Sequence, residues 1–351
     1  MTKAVVRLDA PQRLLVIIVA RIGDTLLATP AIRALAKRYP AARITVLAHP
    51  QRIALLRHLP FIHELAPITK QRAIWRGHLA RWIGQPFDAA LVFGHDRPLL
   101  AYARRVARNV VTEVSEVVTA NATGWLVVPS TAGAEHAVTH RLRWAAAVDA
   151  APDGRQLAYG VTADERSEAG QTLEALSVAP QFPVRWLGLQ LQSFPTKAYR
   201  DWPADYFHSL LEKLLPALPD LRVVILGDGA SVQAAQALAA AFPDRVFSLA
   251  GRLALRQTAA VMSQLSVYLG VDTGPTHLVG ALGVPMVALY HCKHPGRYLA
   301  PLDHPALTVI EHPAATEECG ADRSMAEISV DQVYRALGPY LGLEATVGVA
   351  A

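Results

Sequence analysis

Continuous apolar runs alternate with segments of helical spacing along the chain. Leu14 to Ala20 (LLVIIVA) is uninterrupted and rich in β-branched residues, the pattern of a strand covered on both faces. The turn Arg21-Ile22-Gly23-Asp24 follows. Residues 25–38 then place Leu26, Leu27, Ile32, Leu35 and Ala36 at helical spacing, and the pattern ends in Lys37-Arg38 before Pro40. Residues 43–48 (RITVLA) read as the next strand. The three together predict a βαβ unit, whose ligand crevice lies beyond the carboxyl end of the strand, where Asp24 sits. Residues 89–93 and 109–114 are further strand candidates, with helical stretches near 71–83 and 97–107.

A more polar stretch, 150–184, holds a Pro-Asp-Gly turn at 152–154, a helical pattern over 164–176, and Pro180 and Pro183. A domain boundary is expected there, giving a first domain over 1–170 and a second over 180–328. The alternation restarts beyond it: strands are predicted at 186–191, 222–226, 246–249, 267–271 and 286–290, and helices at 203–215, 231–241, 255–265 and 276–282. A last helix, 329–341, is expected to cross back to the first domain, with a frayed tail behind it, to 351. The order predicts an α/β chain of two doubly wound, Rossmann-like domains facing across a cleft.

At 351 residues and 52% apolar, the chain is long enough for two cores and far too apolar for disorder. Charge divides unevenly: residues 1–170 carry 22 Lys+Arg against 13 Asp+Glu, or +9, whereas 171–351 carry 12 against 16, or −4. Between Arg33 and Arg108 there are 14 basic and 3 acidic residues, a field that favours an anionic partner or is simply a solvated face. No nucleic-acid module accompanies it, so a phosphorylated substrate or an anionic membrane surface fits better than nucleic acid. The early apolar run is too short for a signal peptide, and nowhere are there about 18 consecutive apolar residues to span a bilayer. Two cysteines, Cys292 and Cys319, predict buried or idle thiols in a reducing cytoplasm and no need for a disulfide.

Three constellations carry candidate chemistry. The segment from Gly270 to Leu278 (GVDTGPTHL) lies between a strand and a helix that ends at Gly283 before Pro285. The first-turn N–H groups of such a helix suit a diphosphate, lined by Thr273, Gly274 and Thr276. Asp272 suits sugar hydroxyls rather than a bare anion, which points to a nucleotide-sugar. The alternative is an Asp272 N-cap with His277 packed in the helix. Gly23-Asp24, followed by Thr25, offers a carboxylate at the crevice mouth, a general base for an alcohol or else an N-cap. In the loop from Gln192 to Pro203, Lys197 and Arg200 are cations able to neutralise a departing diphosphate in the inter-domain cleft, or ordinary loop charge. Gly227-Asp228-Gly229 lacks the third glycine of a dinucleotide fingerprint and reads as a tight turn. His291-Cys292-Lys293-His294 with Cys319 matches no common zinc spacing, so no metal is expected.

The stretches LLVIIVARIGDTLLATPAIRALAKRYPAARITVLAHP, PTKAYRDWPADYF and SLAGRLALRQTAAVMSQLSVYLGVDTGPTHLVGALGVPMVALY resemble the family 9 glycosyltransferases, the ADP-heptose:lipopolysaccharide heptosyltransferases of Gram-negative bacteria. The resemblance runs from about residue 13 to 340. It implies a GT-B fold, a donor, ADP-heptose, held mainly by the C-terminal domain, and a lipid A-linked core acceptor held by the N-terminal one. It also implies a cytoplasmic enzyme, peripheral at the anionic inner membrane, with no metal. Asp24 matches the proposed general base of a single inverting displacement. Gly23 and Thr25 flank it. Asp272, Thr273, Gly274 and His277 match the donor-binding segment, with Thr276 beside them. Lys197 or Arg200 matches the lysine on the donor phosphates. The chain departs from the usual Lys-x-Trp-Pro, since Lys197 stands five residues before Trp202 and Arg200 two. It also has Gly188-Leu189-Gln190-Leu191 in place of Pro-Gly-Ala. The alternatives are a transferase of another nucleotide-sugar or a nucleotide-sugar epimerase.

Overall fold

The computed structural model describes residues 5–82, 84–113, 124–129, 133–177 and 183–343. The chain divides into two compact units, 1–160 and 161–351.

The first unit runs β1 (Arg13–Ile18), α1 (Ile22–Leu26), α2 (Thr29–Arg38), β2 (Arg43–Ala48), β3 (Glu64–Pro67), α3 (Lys70–Leu79), β4 (Phe87–Phe93), α4 (Arg97–Val106), β5 (Ala107–Thr112), β6 (Trp125–Val127) and α5 (Ala137–Ala146). Its six strands are all parallel, in the order β3-β2-β1-β4-β5-β6. That is the doubly wound order, with a switch point between β1 and β4. In β1 every residue after Arg13 is buried, because helices cover both faces. Each such aliphatic side chain contributes roughly 1.5–3 kcal/mol relative to exposure.

The second unit runs α6 (Ala163–Glu174), β7 (Arg185–Gln190), α7 (Ala204–Ala217), β8 (Leu221–Leu226), α8 (Val232–Ala241), β9 (Val246–Ser248), α9 (Leu255–Met262), β10 (Val267–Val271), α10 (Gly274–Leu282), β11 (Met286–Tyr290), α11 (Gly296–Leu299), β12 (Leu307–Glu311) and α12 (Val330–Leu341). The strand order β12-β11-β10-β7-β8-β9 repeats the first topology, with its switch point between β7 and β10. The two units are therefore Rossmann-like domains, as the alternation predicts.

Several boundaries differ from the sequence reading. The helix expected over 25–38 is two helices, α1 and α2, broken at Leu27-Ala28, because Pro30 lies in the first turn of α2 and has no N–H to bond back. Gly23, Asp24 and Thr25 consequently sit on a helical turn rather than in a loop. The strand expected over 109–114 is β5, and Val114 lies outside the described residues, as do Ile83 of the 71–83 stretch, Pro180 of the boundary and residues 344–351 of the expected tail. The expected strand 14–20 stops at Ile18, and α10 starts two residues early, at Gly274. Strands β3, β6 and β12 and helices α5 and α11 carry patterns too short or too polar to be read from periodicity.

The division between units falls at Gly160, ahead of the expected boundary. Helix α6 belongs to the second unit: it packs on α9, and Glu165 forms a two-pronged pair with Arg256. Helix α12, expected to cross back, places Val333, Leu337 and Leu341 in the second unit's core, packed on α7. Its apolar stripe is filled there. The cysteines, expected as thiols, form a disulfide, Cys292–Cys319, with Cα atoms 5.8 Å apart. The bridge ties the loop after β11 to the segment after β12, two chain ends that adjacent parallel strands bring together.

Candidate functional site

In the first unit the carboxyl ends of β1 and β4 open at the switch point, where a cavity of about 390 Å³ is lined by residues following both strands, among them Arg21, Asp24, Gly94 and His95. Asp24 lies in the first turn of α1, and the N-cap is Arg21, with no side chain capping. Capping is therefore not what Asp24 does. Its Oδ1 accepts from Arg141 Nη2 at 2.7 Å, and the Asp24 side chain is 47% exposed while that of Arg141 is 15%. Burial pulls the Arg141 guanidinium below its ordinary value and Asp24 pushes it back up. The carboxylate is thus held at one oxygen and open to the cavity at its other side. Glu113, His140 and Trp144 complete the lining: His140 Nε2 lies 3.0 Å from Glu113 Oε1, and Trp144 meets the His140 ring edge-on.

The neighbours of Asp24 in sequence turn inward. Thr25 is fully buried, its hydroxyl donating to the Arg21 carbonyl at 2.8 Å, and Gly23 is buried, its carbonyl accepting from Leu27 N–H at 2.8 Å. The Thr25 hydroxyl is thereby committed to the backbone of its own turn. Arg141, Glu113 and His140 were missed by sequence reasoning. They come from α5 and the end of β5, and the heptad-like signal of α5 is diluted by polar residues; no local signal connects them to Asp24.

In the second unit the other switch-point strand, β10, the counterpart of β4, carries Asp272 at its carboxyl end. Asp272 is 3% exposed and accepts from Arg200 Nη1, at 2.7 Å to Oδ2 and 3.3 Å to the backbone carbonyl. His277 Nε2 lies 3.8 Å from Asp272 Oδ1. The residue at the N-cap of α10 is Thr273, not Asp272, in extended conformation and without a side-chain cap. Thr273 and Gly274 are partly exposed at this helix end, so they stand where an anion would meet the first-turn N–H groups. Thr276 does not: it is fully buried and its hydroxyl donates to the Val271 carbonyl at 2.5 Å and lies 3.3 Å from Tyr268 Oη. It braces the strand-to-helix turn.

The loop carrying Lys197 and Arg200 is fixed from below. Asp201 Oδ1 accepts from Ser193 N–H at 2.6 Å, Ser193 Oγ donates to the Lys197 carbonyl at 2.8 Å, and buried Trp202 donates to the Ile328 carbonyl at 2.9 Å. The two cations of this loop differ in their partners. The charge of Arg200 is met by Asp272, whereas Lys197 has no ion pair among the described residues and stands 5.7 Å from the Tyr199 ring centre. Lys293, from the loop after β11, stands 5.8 Å from the same ring. His294 Nε2 is 2.8 Å from Tyr199 Oη, and burial together with Arg200, Lys197 and Lys293 lowers its pKa to about 4, so the imidazole is neutral at pH 7. The sequence reading dismissed His291 to His294 as a metal motif and so overlooked Lys293 and His294. His291 Nδ1 lies 3.8 Å from each sulfur of the Cys292–Cys319 bridge, and those sulfurs are joined to each other. Gly227, at φ 156°, forms the expected tight turn, which a Cβ would bring to 2.8 Å from Ser231.

Residues 128–328 match glycosyltransferase family 9 (heptosyltransferase). Among solved structures, the chain is similar to a glycosyl transferase family 9 protein from Veillonella parvula (TM-score 0.80, 18% identity, 94% of this chain and 97% of that one). It is also similar to E. coli ADP-heptose lps heptosyltransferase II (0.75, 21%, 95% and 99%). A third similarity is to E. coli heptosyltransferase WaaC with ADP (0.68, 16%, 94% and 100%). No curated protein matches the chain.

Proposed function

The chain belongs to glycosyltransferase family 9, the heptosyltransferase family, and on that premise we propose that it transfers a heptose from ADP-heptose to the lipid A-linked inner core of lipopolysaccharide. The observation that carries this reading is Asp24: a half-exposed carboxylate, fixed by Arg141 and facing a cavity at the end of β1. In the reaction the acceptor hydroxyl oxygen attacks the anomeric carbon of the donor and its proton passes to Asp24. The bond from that carbon to the diphosphate oxygen breaks, and ADP leaves with the electron pair. One displacement inverts the anomeric centre and needs no covalent glycosyl intermediate.

The second unit supplies the donor groups. A sugar nucleotide carries two negative charges on its diphosphate, and Lys197 and Lys293 are two cations without ion pairs among the described residues. The N–H groups at Thr273 and Gly274 add to them, and the leaving charge is stabilised by fixed donors without a metal. Asp272, already paired with Arg200, accepts from sugar hydroxyls rather than facing phosphate. The basic first unit suits the anionic phosphates of an inner-core acceptor and a place at the cytoplasmic face of the inner membrane.

The test is ADP release by the purified protein supplied with ADP-heptose and core-truncated lipopolysaccharide. Release that depends on acceptor and disappears in Asp24→Asn is the expected result. Turnover of a different sugar nucleotide in the same assay would replace the donor while keeping the mechanism. No turnover with any sugar nucleotide would overturn the proposal.

A further inference from the structure

Helix α3 of the first unit is built the wrong way round for a helix that only covers a core. Its buried stripe, against α4, consists of Ala73, Gly77 and Ala80, small residues at i, i+4 and i+7. The bulky apolar residues point outward: Ile74 is 51% exposed, Trp75 66%, Leu79 46% and, in the turn that follows, Trp82 90%. Eight large hydrophobic residues are exposed among the described residues, and four of them fall within these nine positions. Trp75, Leu79 and Trp82 recur at i, i+4 and i+7, so they form one stripe along the outer face.

The same helix is cationic. Lys70, Arg72 and Arg76 lie on it, and the Arg105 side chain of α4 crosses over Gly77, where a Cβ would come within 2.6 Å of its Nη1. Among the described residues the one carboxylate paired to this group is Asp96, on Lys70. Between Thr69 and Gly84 the sequence has no acidic residue. A tryptophan exposed to water at 90% gains nothing for the fold. At a bilayer surface its ring enters the headgroup region while neighbouring Lys and Arg meet anionic lipid.

We propose that the outer face of α3 and its following turn, with Trp75 and Trp82 as anchors and Arg72 and Arg76 beside them, is the surface by which this protein docks on an anionic lipid bilayer. Apolar anchors inside a basic surround fit that partner on both counts, area and charge. A second copy of the chain docking by the same face would meet the same positive field and be repelled. Docking deepens the lipid-linked acceptor reading given above, but it is measured separately from it.

The experiment is co-sedimentation of the full chain with vesicles of phosphatidylglycerol and phosphatidylcholine, against pure phosphatidylcholine. Wild type is expected to partition onto the anionic vesicles, with a blue-shifted tryptophan emission, and to be released by high salt. Trp75→Ser with Trp82→Ser should weaken partition by about tenfold or more, and Arg72→Glu with Arg76→Glu by at least as much. Circular dichroism and ADP release with a detergent-dispersed acceptor should stay unchanged in both variants. Equal partition of wild type and variants, or none by wild type, overturns the proposal. So does a tryptophan variant that dissociates a dimer and leaves vesicle binding intact. Failure of ADP release in wild type, with vesicle binding and its loss as expected, sinks the function reading alone.

Discussion

The two units place the same pair of groups beside their switch points, after β1 in the first and after β10, the counterpart of β4, in the second, and give it opposite surroundings. Each has a carboxylate after a switch-point strand, with an arginine nitrogen 2.7 Å away: Asp24 with Arg141 in the first, Asp272 with Arg200 in the second. Asp24 is 47% exposed and Asp272 3%. An exposed carboxylate can meet a substrate and take its proton. A buried one is locked to its arginine and works by holding position and by accepting from hydroxyls brought to it. On the proposed function, burial rather than residue type or partner separates the reacting carboxylate from the orienting one. The charge of the units follows the same division: residues 1–160 hold 21 basic and 10 acidic residues, residues 161–351 hold 13 and 19.

The contrast breaks first at catalysis. Asp24→Asn should lower kcat by roughly 10²–10⁴-fold while leaving the affinity for ADP unchanged, measured by steady-state kinetics and calorimetric titration. Loss of ADP binding instead would move Asp24 into the donor site. The next largest effect should be on stability. Asp272→Ala leaves Arg200 without its carboxylate in a buried place and should cost about 3–5 kcal/mol in denaturant unfolding. Asp24→Ala should cost less, because water can take the place of the half-exposed carboxylate beside Arg141. Equal costs would mean that the two pairs do not differ as argued.

A covalent tie sharpens the comparison further, since the first unit contains no cysteine. Cys292→Ser opens a loop of 27 residues' separation in the second unit and should remove about 3 kcal/mol of its stability. Thiol titration of the unfolded wild type should find no free thiol before reduction and two after it. The smallest effect belongs to Glu165, whose pKa Arg256 and the Thr162 cap hold down to about 2. A carboxyl depressed in the folded state adds stability that is complete above its ordinary value of 4.5 and fades as pH falls towards 2. Glu165→Gln should therefore cost about 1 kcal/mol at pH 7 and progressively less between pH 4.5 and 2, read from unfolding at each pH.

Much of the fold was legible because buried parallel strands must be continuous apolar runs. LLVIIVA, RVVIL and the strand before Asp272 announce themselves, and Gly283, at φ 72°, ends α10 where the sequence marks it. Three of the four edge strands, β3, β6 and β12, were not legible, since partly exposed strands weaken that signature; the fourth, β9, was read from its apolar run. The site was half legible. Asp24 and Asp272 follow strands and can be placed from the βαβ rule, but Thr25 and Thr276 share that placement and yet point inward, where their hydroxyls satisfy backbone carbonyls. Arg141 is 117 residues from Asp24, and no local pattern joins them.

The order of residues along the chain sufficed for two Rossmann-like domains, the carboxylates at their strand ends and the family. Periodicity reports which side of a local element is buried, and motif spacing reports the turn that follows a strand. Tertiary structure alone decided which carboxylate stays open to solvent, which arginine serves each, that Lys293 joins Lys197 beside Tyr199, that Cys292 meets Cys319, and that the tryptophans of α3 face outward. Those outcomes depend on which distant elements occupy the space beside a residue, and packing settles that only when the sheets have assembled.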